Sequence, residues 1–280
     1  MLIADHETLL DRFRKWETER RDSVYLTQPY PGGEVIDYTW GEVGDQARRF
    51  ASYLRSLGLP AGSRIALLGR NSAHWIIADL AMMMAGMVSV PLYPAFAAEA
   101  VRYALEHSEA KLLLLGKLDG VNDNWTNSAA QLPPDLPLVG LPMSPRKDVP
   151  QWHDLVTRHA RLEPVHAPRL EELASIVYTS GTTGQPKGVM FAYANFTAAF
   201  LAMLRSGAWD MRPEARGFSY LPLAHVAERA AVETASLAFG YRVFFADSLP
   251  KFTRDLKRAR PTVFFSVPRL WTKFHLGVNE

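Results

Sequence analysis

A chain of 280 residues with 48% hydrophobic content and 21% charged residues is long enough to bury a sizeable core without a disulfide or a structural metal. It has no cysteine, which excludes a disulfide framework, thiolate metal ligands and a cysteine nucleophile, and its net charge of +2 argues against nucleic acid as a partner. The opening residues mix Asp5, Glu7, Asp11, Arg12, Arg14 and Lys15 with scattered leucines, a helical charge pattern with no secretory apolar core, so a cytoplasmic location is expected.

Thr39 and Glu42 have the spacing of a capping box, and Val43, Ala47, Phe50, Ala51, Leu54 and Leu57 recur at helical intervals until Gly58 supplies a stop. The apolar run Ile65 to Leu68 follows. Trp75 to Tyr93 is the most apolar window, but Asp79, Gly86, Pro91 and Pro94 interrupt it, so it reads as a buried helix over 73–85 and a strand over 88–92. A helix over 97–107 and the run Leu112 to Leu115 complete a first series. Its strands are apolar on both faces and alternate with helices, the pattern of parallel strands covered on each side. Between 116 and 172, Pro133, Pro134, Pro137, Pro142, Pro145 and Pro150 break any long element, and an irregular connector is expected. Alternation resumes with strands at 175–178, 218–221, 243–246 and 262–266. The helices between and after them fall at 194–205, 226–238 and 249–258, with another starting near Arg269. The expectation is an α/β protein with mainly parallel sheets flanked by helices, in two αβ blocks, 1–115 and 173–280. From Tyr241 onward eight Arg and Lys face only Asp247, Asp255 and Glu280, and a solvated helix face is the plain reading of that basic run.

The stretch most informative about chemistry is Tyr178-Thr179-Ser180-Gly181-Thr182-Thr183-Gly184-Gln185-Pro186-Lys187-Gly188, directly after a buried strand. Its glycines let backbone N–H groups converge on phosphate oxygens, Thr179, Ser180, Thr182 and Thr183 add hydroxyl donors, and Lys187 adds a full charge. The P-loop of nucleotide hydrolases is excluded, since Gly188 stands where that motif needs Ser or Thr after the lysine. A polar glycine-rich turn between strand and helix is the bland alternative. A second string, Tyr220-Leu221-Pro222-Leu223-Ala224-His225-Val226-Ala227-Glu228-Arg229, sets a histidine at the end of a strand. From the residues alone, His225 could equally cap the next helix or be bonded in the core, and Glu228 and Arg229 could orient it, contact a nucleotide or form a surface ion pair.

The first string resembles the phosphate-loop signature of the acyl-adenylate-forming (AMP-binding) superfamily. The second resembles the form of a superfamily motif found in long-chain fatty acyl-CoA synthetases. Pro261 to Trp271, Asn71-Ser72 and Pro91-Leu92-Tyr93-Pro94 resemble the same subgroup and read as architectural. The resemblance implies an ATP-dependent ligase that joins a fatty acid to AMP with release of pyrophosphate and then transfers the acyl group to CoA, with Mg²⁺ on the phosphates. It implies that Thr179, Ser180, Gly181, Thr182, Thr183, Gly184 and Lys187 hold the ATP phosphates, that His225 lies beside the acyl carboxylate or thiol entrance, and that Glu228 and Arg229 support it. Family members are roughly twice as long, with their adenine, ribose and Mg²⁺ motifs and a mobile C-terminal lid normally beyond Trp271. The chain is therefore expected to be a shortened, inactive N-terminal portion, prone to homodimerise or aggregate through an exposed face, with peripheral membrane contact left open. Another acyl or aryl acid-adenylating ligase, or a noncatalytic nucleotide-binding module, is the alternative.

Overall fold

Thr8 opens α1 (Leu9–Glu19) and Thr39 opens α2 (Trp40–Ser56), each with a capping box in which the hydroxyl accepts an N–H and Asp11 or Glu42 reaches back. In this computed structural model, which describes residues 6–118, 123–179, 185–207, 212–268, 270–272 and 275, a hairpin of β1 (Val24–Pro29) and β2 (Val35–Thr39) lies between these helices. β1 is buried along nearly its whole length, so no polar alternation marks it in the sequence. The next elements, β3 (Arg64–Leu68), α3 (Ala73–Ala85), β4 (Val88–Leu92), α4 (Ala98–His107) and β5 (Leu112–Leu115), fall where periodicity puts them. Ser72 caps α3 and Gly86, at φ 71°, ends it. Every residue of α3 is buried, and no helix among the described residues is long and apolar enough to cross a membrane.

The proline-rich connector is more ordered than expected. It holds α5 (Trp125–Ala129), β6 (Leu138–Gly140) and α6 (Trp152–Arg158), kept short by the prolines. β6 adds in parallel to β5, and Trp152 stacks on Phe50 at 4.2 Å. Then come β7 (Leu173–Thr179), β8 (Lys187–Ala192), α7 (Tyr193–Ser206), β9 (Arg216–Ser219) and α8 (Val226–Glu228). A π-helical segment, Arg229–Thr234, leads into α9 (Ala235–Phe239), β10 (Arg242–Phe245), a 3₁₀ turn and α10 (Phe252–Ala259). No strand forms at 262–266: the N–H groups of Thr262 and Val263 both turn onto the Arg216 carbonyl, at 2.9 and 3.1 Å. The helix expected from Arg269 starts at a residue outside the described set.

Six strands pair in the order β6-β5-β3-β4-β7-β8, all parallel except β7 with β8; four pair as β2-β1-β10-β9, all parallel except β1 with β2. The sheets cut across the two chain-order blocks, because the N-terminal hairpin joins the late strands β9 and β10 while β7 and β8 extend the early sheet. The main core, with Trp40, Phe50, Trp75, Ile76, Phe200 and Phe239, lies between the sheets around α1, α2, α3, α7 and α9. Val101, Leu105 and Trp125 of α4 and α5 cover the outer face of the larger sheet, and Phe252 and Ala259 of α10 cover Phe218 and Phe244 on the smaller. Five layers result, with one helical layer shared by two sheets. Each fully buried Leu, Ile, Met or Phe in it contributes about 1.5–3 kcal/mol.

Candidate active site

Because β3, β4, β5 and β7 are parallel, their carboxyl ends meet at one edge, where open α/β sheets hold ligands. The ends of β9 and β10 converge on the same place: residues following β3, β4, β9 and β10, among them Asn71, Tyr93, Tyr220, Pro222 and Asp247, line one cavity of roughly 280 Å³. A close backbone approach precedes two of its lining residues, Arg70 and Lys117: a Cβ on Gly69 would stand 2.8 Å from the Gly116 Cα, so the chain leaving β3 can approach the chain leaving β5 this closely only with glycine at 69.

Two polar contacts tie the sheets together at this edge. Asn71 Nδ2 donates to Ser219 Oγ at 2.7 Å and to the Leu221 carbonyl at 2.5 Å, while its Oδ1 accepts the Leu223 N–H at 2.9 Å. The architectural role expected of Asn71 thus consists in holding the 219–223 segment. Lys117, after β5, donates to the backbone carbonyl and the carboxylate of Asp247, after β10. Burial lowers the Lys117 pKa; Asp247 stays below the usual carboxylate range in spite of burial, because Lys251 and Lys117 bond it.

The phosphate-loop string starts on β7 and resumes on β8. Ser180, Gly181, Thr182, Thr183 and Gly184 lie outside the described residues. Thr179 and Lys187 are exposed and face each other as the last pair of the antiparallel β7–β8 ladder. The loop therefore joins two strands of a hairpin and does not lead into a helix. Tyr178, next to Thr179 on β7, is anchored by a 2.8 Å hydrogen bond between its hydroxyl and His107 Nδ1. Gly188 has a different reason from the one its sequence suggests. It lies within β8 opposite Tyr178, and a Cβ there would stand 3.3 Å from the tyrosine ring and 3.0 Å from Ile176, so its place in the string serves cross-strand packing.

His225 is exposed at the N-cap of α8, its Nδ1 accepting the Ala227 N–H at 3.1 Å. Its ring stands edge-on to Tyr93 at 6.4 Å, beside the cavity. A helix cap was one of the readings open to it, and the cap leaves Nε2 outside that hydrogen bond. Glu228 and Arg229 are not a surface pair; both are 1% exposed and they point apart. Glu228 Oε1 accepts from Ser219 Oγ and the Tyr220 N–H, each at 3.0 Å, and burial pushes its carboxyl up to about 8. Arg229 turns into the core, bonding Asp79 at 2.5 Å, Ser175 at 2.7 Å and Glu233 at 3.0 Å. Asp79 carried a legible signal, since a carboxylate in an otherwise apolar buried helix demands a cation. Lys117 and Asp247 carried none.

The family model described as AMP-binding enzyme matches residues 13–279. The chain belongs to the AMP-binding enzyme family. Among curated relatives, the peroxisomal long chain acyl-CoA synthetase 6 of Arabidopsis thaliana is 31% identical over 98% of this chain and 41% of its own length. The long-chain-fatty-acid–CoA ligase FadD15 of Mycobacterium bovis is 31% identical over 93% of this chain and 44% of its own length. The chain thus spans less than half the length of these relatives. The solved structure of the anthranilate CoA ligase AuaEII in complex with anthranoyl-AMP superposes with a TM-score of 0.80 at 19% identity, covering 94% of this chain and 50% of that one. A benzoate CoA ligase from Burkholderia xenovorans LB400 gives 0.78 at 23% identity, covering 95% and 51%. These likenesses establish the fold. Among the described residues no group of three or more His, Asp or Glu side chains is placed to hold a metal.

Proposed function

We propose that this chain forms the ATP-phosphate and acid-facing part of a long-chain fatty acid–CoA ligase. The observation that carries the reading is the convergence at one edge of the phosphate-loop strand β7, the exposed Lys187 and the His225 segment, in a family member whose relatives include long-chain acyl-CoA synthetases. In the first step a carboxylate oxygen attacks the α-phosphorus of ATP, and the bond to the bridging oxygen breaks to release pyrophosphate. In the second the sulfur of CoA attacks the acyl carbon and AMP leaves. Lys187 and the loop N–H groups would stabilise the charge that develops on pyrophosphate. With Nδ1 held by the Ala227 N–H, the neutral His225 ring carries its proton on Nε2, a donor suited to an acyl oxygen at the strand end. A Mg²⁺ carried by the ATP phosphates would add its charge to that of Lys187 in stabilising the leaving group. A cytoplasmic location, supported by the charge pattern of the opening residues, is the companion proposal.

The test is acid-dependent pyrophosphate release by the complete gene product, with fatty acids of several lengths set against aromatic and amino acids. Preference for long-chain acids is expected. Preference for an aromatic or amino acid overturns the substrate class, and MgATP binding with no acid-dependent release favours a noncatalytic module. His225→Ala is expected to slow adenylation or thioester formation, and unchanged half-reactions would leave the residue a helix cap only.

A further inference from the structure

Arg229 lies one helical turn after His225, whose carbonyl accepts its N–H at 3.0 Å. Its buried guanidinium engages three elements. Nη1 donates to Ser175 Oγ on β7 at 2.7 Å, Nη2 to Asp79 Oδ2 on α3 at 2.5 Å, and Nε to Glu233 Oε2 on the π segment at 3.0 Å. Ser175 passes the link onward by donating to the Ser89 carbonyl of β4 at 2.9 Å. The Trp75 and Phe196 rings close over the cation at 5.6 and 5.1 Å.

A buried ionic cluster is a poor way to gain stability, since well-packed apolar side chains of similar volume usually hold a fold as well or better. What the guanidinium adds is direction. Its donors leave one plane at fixed angles, so meeting Ser175, Asp79 and Glu233 at once fixes both the depth and the rotation of the helical run that follows His225. Ser175 stands on β7 four residues before Thr179, where the phosphate-loop string leaves the sheet. The π segment begins at Arg229 itself, and such segments are frequent at functional sites.

We infer that Arg229 is a positioning residue, setting the place of His225 relative to the strand that carries the phosphate loop through its bonds to Ser175, Asp79 and Glu233. It touches neither ATP nor acid. This rests on the adenylation reading above, and it adds a requirement: the side chains facing the acid and those facing the phosphates must keep a fixed separation for in-line attack.

The experiment compares Arg229→Lys, Ser175→Ala and the apolar triple variant Arg229→Met/Asp79→Leu/Glu233→Leu in the complete gene product. The triple variant is expected to melt close to the wild type, yet to lose about tenfold or more in kcat for acid-dependent pyrophosphate release, with KM for MgATP within about twofold. Arg229→Lys keeps the charge and loses the planar fork, so it is expected to remain slow. Ser175→Ala removes the β7 link together with the bond to the Ser89 carbonyl, leaves Asp79 and Glu233 in place, and is expected to lose about threefold or more, which keeps the inference testable if the triple variant fails to fold. In each the NMR signals of the His225 imidazole should shift. Wild-type kcat with unshifted His225 signals in a folded variant overturns the inference. If the wild type itself releases no pyrophosphate with any acid, the adenylation reading fails, and the His225 signals alone decide the positioning.

Discussion

The Lys117 ammonium and the Asp247 carboxylate, 3.3 Å apart, join the carboxyl end of β5 in one sheet to that of β10 in the other. Lys251 also reaches Asp247, at 2.6 Å, and the Asp255 carboxylate accepts the Asp247 N–H at 2.9 Å. The candidate cavity is therefore walled by two sheets joined by this ion pair and by the Asn71 hydrogen bonds.

Lys117→Met removes the ion pair while leaving Asp247 paired with Lys251. The carboxylate keeps Lys251, so the expected cost is that of the Asp247 carbonyl losing its Lys117 donor, about 1–3 kcal/mol, read as a lower urea midpoint at unchanged m. A midpoint equal to wild type would mean that the sheets hold together without this ion pair.

Lys187→Ala should separate binding from folding. The residue is exposed at the first position of β8, so stability should change by no more than about 0.5 kcal/mol. Affinity for MgATP in the complete gene product is expected to fall at least tenfold, measured by calorimetric titration. Lost stability with unchanged affinity would make the lysine a strand residue only.

His74 makes the fold acid-sensitive. Burial lowers its imidazole from 6.5 to about 3, so below 6.5 the unfolded chain binds a proton that the folded one refuses. Its contribution is complete above pH 6.5 and falls as pH drops toward 3, by up to about 1.4 kcal/mol per pH unit. In urea titrations between pH 4 and 7, His74→Gln should show a shallower decline than wild type; parallel curves would count against a buried neutral histidine.

Glu228 acts in the opposite direction. Its folded carboxyl keeps a proton up to about 8, whereas the unfolded one loses it near 4.5, so its contribution is present at low pH and declines as pH rises between these values. Glu228→Gln keeps the acceptor for Ser219 and Tyr220 and removes the titration. The variant should gain stability relative to wild type between pH 5 and 8, by up to about 1.4 kcal/mol per pH unit. A constant difference across that range would show a carboxylate already ionised in the folded protein.

The sequence alone determined α3, β4 and β5 to the residue, together with the capping boxes, the apolar-on-both-faces strands and the phosphate-loop string. All of these depend on periodicity, turn chemistry or spacing within a few residues, and such local preferences survive without knowledge of the rest of the chain. The tertiary structure decided what long-range pairing alone can decide. Leu26 takes Val243 as its strand neighbour, Lys187 and Thr179 close a hairpin, and 262–266 turns aside at Arg216 although its apolar run reads as a strand. The same holds for the second string. Glu228 and Arg229 are adjacent in sequence, but successive helical side chains point about 100° apart. One therefore faces Ser219 and the other Asp79, and only the packing of two sheets around a shared helical layer determines which partners are there to meet them.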